Sequence, residues 1–231
     1  MAKPQSAASK DGVNTSARER KREKIQRAAA DVLVELGLRQ ATMEDIALRL
    51  GTSKILLYRY FETKDDLLDA VLSAATQYVL EPEYEEWPGL KPAMARTLKR
   101  ARDNPNAFLL LFRVAAHDRE FCHHSENVRE VLVEVTRARL VQLNHTLRRD
   151  KVLLAALAEG IITFLVEATT YWLENGAARR DADWIAWVSS SALAMAAASN
   201  RTKLGPLPPA LKRPRTAAVQ AAPSKRKRPT Q

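Results

Sequence analysis

The chain has 231 residues, of which 46% are hydrophobic and 28% are charged, a balance typical of a soluble protein with a sizeable core. Its one cysteine, Cys122, excludes an internal disulfide framework. We see neither a signal segment nor an apolar run near the ~18 residues of a membrane span, and we expect a cytoplasmic protein without a membrane partner. The net charge is +5 over residues 1–64, −3 over 65–201 and +8 over 202–231, so both ends should attract polyanions.

The composition favours helices, because glycine is scarce and no strand-like alternation of useful length occurs. We predict an all-α fold of about nine helices. Residues 1–15 are small and polar, and are predicted to form a disordered arm. A first helix from Ser16 carries one apolar stripe and ends before Gly37, a residue suited to a C-terminal cap. The stripe consists of Ile25, Ala28, Ala29, Val32, Leu33 and Leu36.

Two short helices joined by a tight turn come next. Thr42 is predicted to cap the first of them, over residues 42–50, in a Ser/Thr-x-x-acid pattern. Gly51 makes the turn, and a helix over residues 53–61 follows it. Ala47 is small enough to lie where the two helices cross, so a tri-helical helix-turn-helix unit is predicted, with the helix-turn-helix at 42–61. Its small core is expected to consist of Ile46, Leu50, Leu57 and Phe61.

Thr63 is predicted to cap a fourth helix, which completes a first domain over residues 16–79. Residues 81–92 are rich in proline and are predicted to be a loop. A second, helical domain covers residues 80–201. Residues 202–231 are basic and rich in Pro and Ala, and we predict a disordered tail because the segment has too few large apolar groups to order itself. Helices of the second domain are expected at about 91–103, 106–117, 125–148, 150–174 and 181–201.

Residues 19–79 resemble the N-terminal domain of TetR-family transcriptional regulators in one continuous, nearly gapless match. The matching residues run from Glu23 to Gly37, from Ala41 to Lys54 and from Leu57 to Leu68. Residues 152–201 also resemble the paired last helices of that family, over Ala158–Gly160, Tyr171–Gly176, Asp181 and Trp184. The resemblance implies a DNA-binding regulator rather than an enzyme, with no cofactor. It implies a dimeric repressor that binds a palindromic operator and is released by a small, largely apolar effector.

The third helix is expected to read the DNA. If Leu57 faces the core, the opposite side presents Lys and Arg, which can donate to guanine O6 and N7, and Ile55, which can contact a thymine methyl group. Hydroxyls at the helix start can donate to phosphates or bases. The resemblance implies phosphate contacts by Thr42, Tyr58 and Lys64. The predicted DNA-binding residues are Thr42, Thr52, Ser53, Lys54, Ile55, Tyr58, Arg59, Tyr60 and Lys64.

Two helices of the second domain, over residues 152–174 and 181–201, are apolar on more than one face. A helix that is apolar all round is buried all round, which in a chain of this size indicates a second copy. We predict a homodimer through a four-helix interface made by these two helices of each copy, as the resemblance also implies. The two reading helices would then lie about 34–36 Å apart, one turn of DNA.

The resemblance further implies a ligand cavity among the fourth to eighth helices. Its expected lining is mainly aromatic, although ordinary core positions are the commoner role of such residues. Ligand binding would release DNA if it favoured a dimer geometry that does not match the operator. The predicted lining consists of Tyr78, Phe108, Phe112, His117, Phe164, Glu167 and Tyr171.

Other hypotheses remain open at this point. His123 and His124, near His117 and Cys122, suggest metal binding, but adjacent side chains are expected to point to different sides, so we predict no metal site. The run from Lys225 to Arg228 is interpreted as a flexible polycation that adds salt-sensitive DNA affinity. An architectural protein that coats DNA without a preferred site is the second hypothesis. An enzyme is disfavoured, because neither a Gly-rich phosphate loop nor a nucleophile elbow occurs.

Overall fold

The computed structural model describes the backbone of residues 8–198 and the side chains of residues 17–198. Within that part of the chain the fold is all-α, with nine α-helices and no strand, as predicted. The head, defined as residues 17–80, contains the first four helices, and the body, residues 81–198, contains the other five. The helices are α1 (Ala8–Gln40), α2 (Met43–Leu50), α3 (Lys54–Tyr58), α4 (Lys64–Leu80), α5 (Leu90–Asp103), α6 (Pro105–Leu109), α7 (Cys122–Leu143), α8 (Lys151–Asn175) and α9 (Asp181–Ala198).

Helix α1 differs from its prediction at both ends. Its regular course stops at Gly37, whose φ of 81° lies in the left-handed region that glycine favours. Leu36, the last residue of the predicted stripe, is 42% exposed, because the chain leaves the helical path immediately after it. The helix begins at Ala8, so residues 8–15 of the predicted arm are helical, and no proline after Pro4 interrupts them. Residues 1–7 lie outside the described residues.

The predicted helix starts are confirmed by their capping hydrogen bonds. Thr42 and Thr63 each form a complete capping box with the acid three residues later. The side chain of Asn104 accepts a hydrogen bond from the backbone N–H of Ala107, and Pro105 occupies the first position of α6. These caps satisfy backbone groups that would otherwise lack partners at helix ends, which is why local sequence was enough to find them.

The segments between the long helices are more structured than predicted. The predicted loop after α4 contains a 3-10 turn over Glu81–Tyr84, which is stabilised by Pro82 near its start. The predicted helix over 106–117 divides into α6, a π-helical turn over Leu110–Val114 and a 3-10 turn over Ala115–His117. The helix predicted over 125–148 instead spans α7 and a separate 3-10 turn over His145–Arg149.

The head and the body share one hydrophobic core. Ile25 and Leu33 of α1, Ile46 of α2 and Leu57 of α3 are all fully buried, as predicted for the tri-helical unit. The same cluster continues through α4 into α6, the π-helical turn and α7, where Val128 is fully buried. A shift of α4 relative to the body would therefore be transmitted to the head through continuous packing.

Helix α8 corrects one expectation from the sequence. It contains an 18-residue window with a mean hydropathy of 1.9, so by length and composition it could cross a membrane. Only 28% of that window is buried within one chain. Core helices of soluble proteins pass the same test, so one such helix is weak evidence for a membrane span. The predicted tail, residues 202–231, lies outside the described residues.

Candidate nucleic-acid interface

The turn between α2 and α3 has the geometry that a helix-turn-helix requires. Gly51 has a φ of 66°, and its N–H donates to the carbonyl of Leu48 at 3.0 Å. The N–H of Thr52 donates to the carbonyl of Ala47 at 2.9 Å, which closes the turn. Ala47 is 4% exposed, as expected for the small residue at the helix crossing. The turn therefore fixes the direction in which α3 leaves the head.

Helix α3 buries one side and exposes the other. Leu57 faces the core, while Ile55 is 76% exposed and Tyr58 is 45% exposed. Arg59 is exposed, and its guanidinium makes no hydrogen bond or ion pair with any other residue that the structure describes. An apolar branched side chain beside an unpaired guanidinium can contact thymine and guanine edges in a major groove. We call this surface, formed by Ser53, Lys54, Ile55, Tyr58 and Arg59, the reading face.

Two predicted contacts are placed differently from the rest. Helix α3 ends at Tyr58, so Tyr60 lies in the following turn rather than on the helix. The ring of Tyr60 is half-buried and packs against the core of the head, which makes it a structural residue first. Thr52 is also half-buried in the turn. These two residues lie at the edge of the reading face.

The polar residues that flank α3 are held by hydrogen bonds. The Thr42 hydroxyl donates to Asp45 at 2.6 Å, and this bond, together with one from the Thr42 backbone, lowers the pKa of Asp45. The Ser53 hydroxyl accepts from the N–H of Leu56 at 3.3 Å and keeps its own hydrogen available as a donor. The Nζ of Lys64 donates to the carbonyl of Arg39 at 3.3 Å. These hydrogen bonds fix the positions of the polar side chains on either side of α3.

Leu48 is an exposed apolar residue that the sequence pattern did not single out. It lies in α2 but outside the buried stripe of that helix, and it is 81% exposed. An apolar side chain that falls off the stripe was the available signal. Lys54 was predicted correctly as exposed, but its Nζ lies 3.8 Å from a carboxylate oxygen of Glu44, so a DNA contact by Lys54 competes with this weak pair.

Comparison with known proteins agrees with this geometry. Residues 25–71, which include α2 and α3, match the family described as "Bacterial regulatory proteins, tetR family". The chain is 27% identical over 174 residues to the HTH-type transcriptional activator FasR of Mycolicibacterium smegmatis, covering 70% of this chain and 76% of that protein. Residues 25–71 are therefore similar to the DNA-binding part of TetR-family regulators, and the rest of the chain lies outside that match. Members of this family are DNA-binding transcriptional regulators rather than enzymes.

Solved structures share the fold along most of the described chain. A TetR-like transcriptional regulator from Rhodococcus sp. RHA1 has a TM-score of 0.61 at 20% identity, covering 77% of this chain and 96% of that one. The transcriptional regulator FadR from Bacillus subtilis, in complex with stearoyl-CoA, has a TM-score of 0.55 at 18% identity and covers 75% and 96%. At such identities the likeness concerns the fold alone, and it extends from the TetR-type head into the body.

The body contains a cavity of about 150 Å³. It lies between α4 and the five helices of the body, in the region where the sequence resemblance implied a cavity. Two of the residues expected to line a ligand cavity, Phe108 and Phe112, line this one. The rest of its wall is mainly aliphatic, from Val79 at the end of α4, Met94, Ile161, Leu165 and their neighbours.

Five predicted lining residues do not line this cavity. Tyr78 is engaged elsewhere, since its hydroxyl donates to the Arg100 carbonyl at 3.0 Å. Glu167 pairs with Arg113 at 2.9 Å on the outside of α8. The other three lie at exposed positions or pack against another element. Packing, rather than residue type, determines which side of a helix faces the cavity. These three residues are His117, which is exposed, Phe164, which packs edge-on against Trp187, and Tyr171, which is 63% exposed.

Polar side chains are concentrated at one part of the cavity wall. Arg139 pairs with Glu83 at 2.8 Å, and both side chains are largely buried. The guanidinium of Arg139 also stacks over the ring of Trp87, with its central carbon 3.6 Å from the ring centroid. This group gives an otherwise apolar cavity one charged wall, which sequence periodicity could not reveal because its members come from three separate elements.

The two adjacent histidines correct a further expectation. The rings of His123 and His124 do not point to different sides, because their centroids are only 4.2 Å apart. The ring of His123 turns back toward Glu120, two residues before α7, and its Nδ1 lies 2.9 Å from the carbonyl of Glu120. His124 is mostly buried and hydrogen-bonds Asp69, and burial lowers the pKa of its imidazole.

Proposed function

We propose that this protein is a sequence-specific, ligand-responsive repressor that binds a palindromic operator as a homodimer. The observation that carries the proposal is the reading face, on which Arg59 and Ile55 are exposed beside a rigid turn. A guanidinium without a protein partner loses little by moving to a guanine edge, whereas a paired one must first give up its carboxylate. The flanking hydroxyls and Lys64 then hold the phosphates and fix the register.

The outer surface of α8 and α9 supports dimerisation. Trp187 and Leu193 of α9 are about half exposed, at 54% and 48%, and Val152 at the start of α8 is 81% exposed. No charged residue follows Asp183 up to the end of α9. A helix surface without charge is costly to leave in water, so a second copy is the natural cover. We call this surface the apolar face; on α9 it consists of Ala186, Trp187, Ser190, Leu193, Ala194 and Ala197.

The cavity supports a small, largely apolar effector. Its volume of about 150 Å³ suits a group of roughly benzene size, well below the ~300 Å³ of a typical drug pocket. A longer chain, such as the acyl group that FadR of Bacillus subtilis holds, would need the helices around the cavity to separate. The Glu83–Arg139 pair would then meet the polar end of the effector, since it is the charged part of the wall.

The effector would act through α4. Val79 at the end of α4 lines the cavity, while Leu67 and Leu68 near its start are fully buried in the core of the head. Arg39 of the head also pairs with Asp118 of the body at 2.7 Å, which lowers the pKa of Asp118. An effector that favours a different position of α4 would change the distance between the two reading faces of a dimer.

The proposal also covers the sign of regulation, which is repression or activation, and the location of the protein in the cell. A regulator that occupies a promoter excludes polymerase and represses, whereas one that binds upstream can recruit polymerase and activate. The Mycolicibacterium relative is described as a transcriptional activator. We assign repression and a cytoplasmic location on the nucleoid when DNA is bound. A promoter fusion in cells with and without the protein checks the sign: higher output without the protein supports repression, and lower output contradicts it.

Selection from random DNA tests the proposal as a whole. The full-length protein is incubated with a pool of random duplexes at moderate salt, and the retained DNA is sequenced over several rounds. We expect one inverted repeat whose half-sites are about 10 bp apart, centre to centre. A pool that stays random would instead support the alternative of an architectural protein that coats DNA through its basic ends.

A further inference from the structure

Three potential metal ligands meet where the head joins the body. Asp69 lies on α4, and His123 and His124 lie in the first turn of α7. An Oδ1 of Asp69 is 2.9 Å from the Nε2 of His124, and one ligand atom from each of the three residues lies within 4.8 Å of the other two. Ligands bonded to one metal ion at about 2.0–2.2 Å lie at most about 4.4 Å apart, so small movements of the exposed Asp69 and His123 side chains would bring the three ligand atoms around one ion.

The protonation pattern of His123 suits metal binding. Its Nδ1 lies 2.9 Å from the backbone carbonyl of Glu120, and a carbonyl can only accept a hydrogen bond. The Nδ1 therefore carries the hydrogen, which leaves the Nε2 of the neutral ring with a lone pair. Histidines that bind metals are usually oriented by such a backbone hydrogen bond on the other nitrogen.

A simple ion pair does not explain the whole group. Asp69 and His124 are already paired, and that pair would be complete without His123. The ring of His123 nevertheless lies beside them, with its centroid 4.2 Å from that of His124, although His123 itself is exposed. Two imidazoles and a carboxylate on two packed helices form a donor set rather than a pair.

The donor types select the class of ion. Mg²⁺ and Ca²⁺ prefer oxygen ligands alone, whereas imidazole nitrogen suits Zn²⁺, Ni²⁺, Co²⁺ and Cu²⁺. Three protein ligands leave at least one position for water, which is common in zinc sites that are not purely structural. We propose that Asp69, His123 and His124 bind one divalent transition-metal ion, with Zn²⁺ as the type case, and so join α4 of the head to α7 of the body.

The position of this site has a consequence for regulation. The metal ion would hold α4 against α7, in the arrangement that the structure shows, and would oppose any shift of α4 that an effector induces. Metal binding itself does not depend on the proposed function, but its effect on DNA affinity does, since that effect rests on the reading face and on the role of α4.

The test measures metal binding without DNA. Full-length protein that carries no histidine tag is freed of metal with a chelator and titrated with Zn²⁺ in a calorimeter and with Co²⁺ by visible absorption. We expect one ion per chain and Co²⁺ bands typical of nitrogen and oxygen ligands. His123→Ala and Asp69→Asn change exposed residues and should each weaken binding by about tenfold or more.

His145→Ala is the matched control, because His145 is also exposed but lies beyond the end of α7. It should bind like the unaltered chain, and circular dichroism should show all three variants folded. Absence of binding by the unaltered chain would overturn the proposal, as would equal affinity in His123→Ala or equal loss in His145→Ala. With a selected operator, Zn²⁺ should change DNA affinity in the unaltered chain and not in Asp69→Asn; an equal response in both would overturn the coupling.

Discussion

The reading face and the apolar face are both exposed, but they differ in the length of the helices that carry them and in the chemistry of their side chains. The reading face belongs to a five-residue helix fixed by a glycine turn, and it offers a guanidinium, hydroxyls and a single aliphatic group. The apolar face lies mainly on α9, where it offers Trp187, Leu193 and three alanines and no charged residue. Under the proposed function the first surface exchanges water for DNA reversibly, and the second is covered by a second copy of the chain. Substitutions in the two surfaces should therefore have different effects on oligomeric state and on DNA affinity.

The largest effect is expected when the apolar face receives a charge. Trp187→Glu places a carboxylate in the centre of the proposed dimer interface, where no basic residue of α9 can pair with it. We expect monomers in sedimentation velocity and a loss of operator affinity of roughly 10²–10⁴, because the two heads would no longer bind as one unit.

Tyr84→Glu is the matched control for this change, since Tyr84 is 80% exposed on the 3-10 turn after α4 and lies outside the apolar face. It should remain dimeric and bind the operator normally. A Trp187→Glu protein that stays dimeric would place the dimer interface elsewhere in the body.

A smaller loss, confined to specific DNA, is expected at the reading face. Arg59→Ala removes the unpaired guanidinium and should cost about 1–3 kcal/mol on the operator, because a bidentate contact to guanine is lost. Affinity for random DNA should change little. Fluorescence anisotropy with both duplexes measures the difference, and equal losses on the two would show that Arg59 contacts only phosphate.

A substitution at the corner between α8 and α9 should change the stability of the fold and leave the reading face and the apolar face unchanged. A Cβ at Gly176 would lie 2.2 Å from the ring of Trp172, whose indole N–H donates to Asp181 at 2.7 Å. Burial raises the pKa of Asp181, but hydrogen bonds from Arg102 and Trp172 outweigh burial and the net pKa is lowered. Gly176→Ala must displace this ring and should lower the free energy of unfolding by about 1–3 kcal/mol.

Gly160→Ala, inside α8, provides the comparison with Gly176, which follows the end of that helix. A Cβ there would meet Met195 at 3.7 Å, an ordinary contact, so the substitution should be neutral or stabilising by up to ~1 kcal/mol. Thermal unfolding of both variants measures the contrast. A stable Gly176→Ala protein would mean that Trp172 can leave its present position cheaply.

The smallest effect is expected at the flank of the reading face. Lys64→Ala removes one phosphate contact, so operator and random DNA should both bind slightly less well. The slope of log affinity against log salt should fall by about one unit. Binding measured at several salt concentrations gives this slope. An unchanged slope would show that Lys64 contacts the Arg39 carbonyl but no phosphate.

The same two surfaces show how far sequence reasoning reaches. The caps at Thr42 and Thr63, the turn at Gly51 and the buried side of α3 depend on residues within a few positions of one another, and all were predicted. The exposure of Leu48 was not predicted, because only the buried stripe of α2 was considered and Leu48 is the one apolar residue of that helix outside the stripe. Local rules therefore predicted which side of α3 is exposed, while DNA contact by that side stays a prediction.

The cavity and the metal cluster depend on distant elements instead. Phe164 and Tyr171 have the right chemistry for a cavity but lie on the wrong sides of α8, since small rotations of a helix decide which residues face inward. The Glu83–Arg139 pair joins residues 56 positions apart. His123 and Asp69 meet only because α4 packs on α7. Such contacts follow from tertiary packing, which residue type and spacing do not determine.

The central claim is that two identical heads, held at a fixed distance by the apolar face, read two half-sites of one operator. The most direct test inserts five base pairs between the half-sites of the selected operator, which turns one half-site by about half a turn of DNA. The account predicts that affinity falls by roughly 10²–10⁴, toward that of a single head, and that inserting ten base pairs does not restore it. Unchanged affinity for the five-base-pair insertion would contradict a rigid two-fold arrangement.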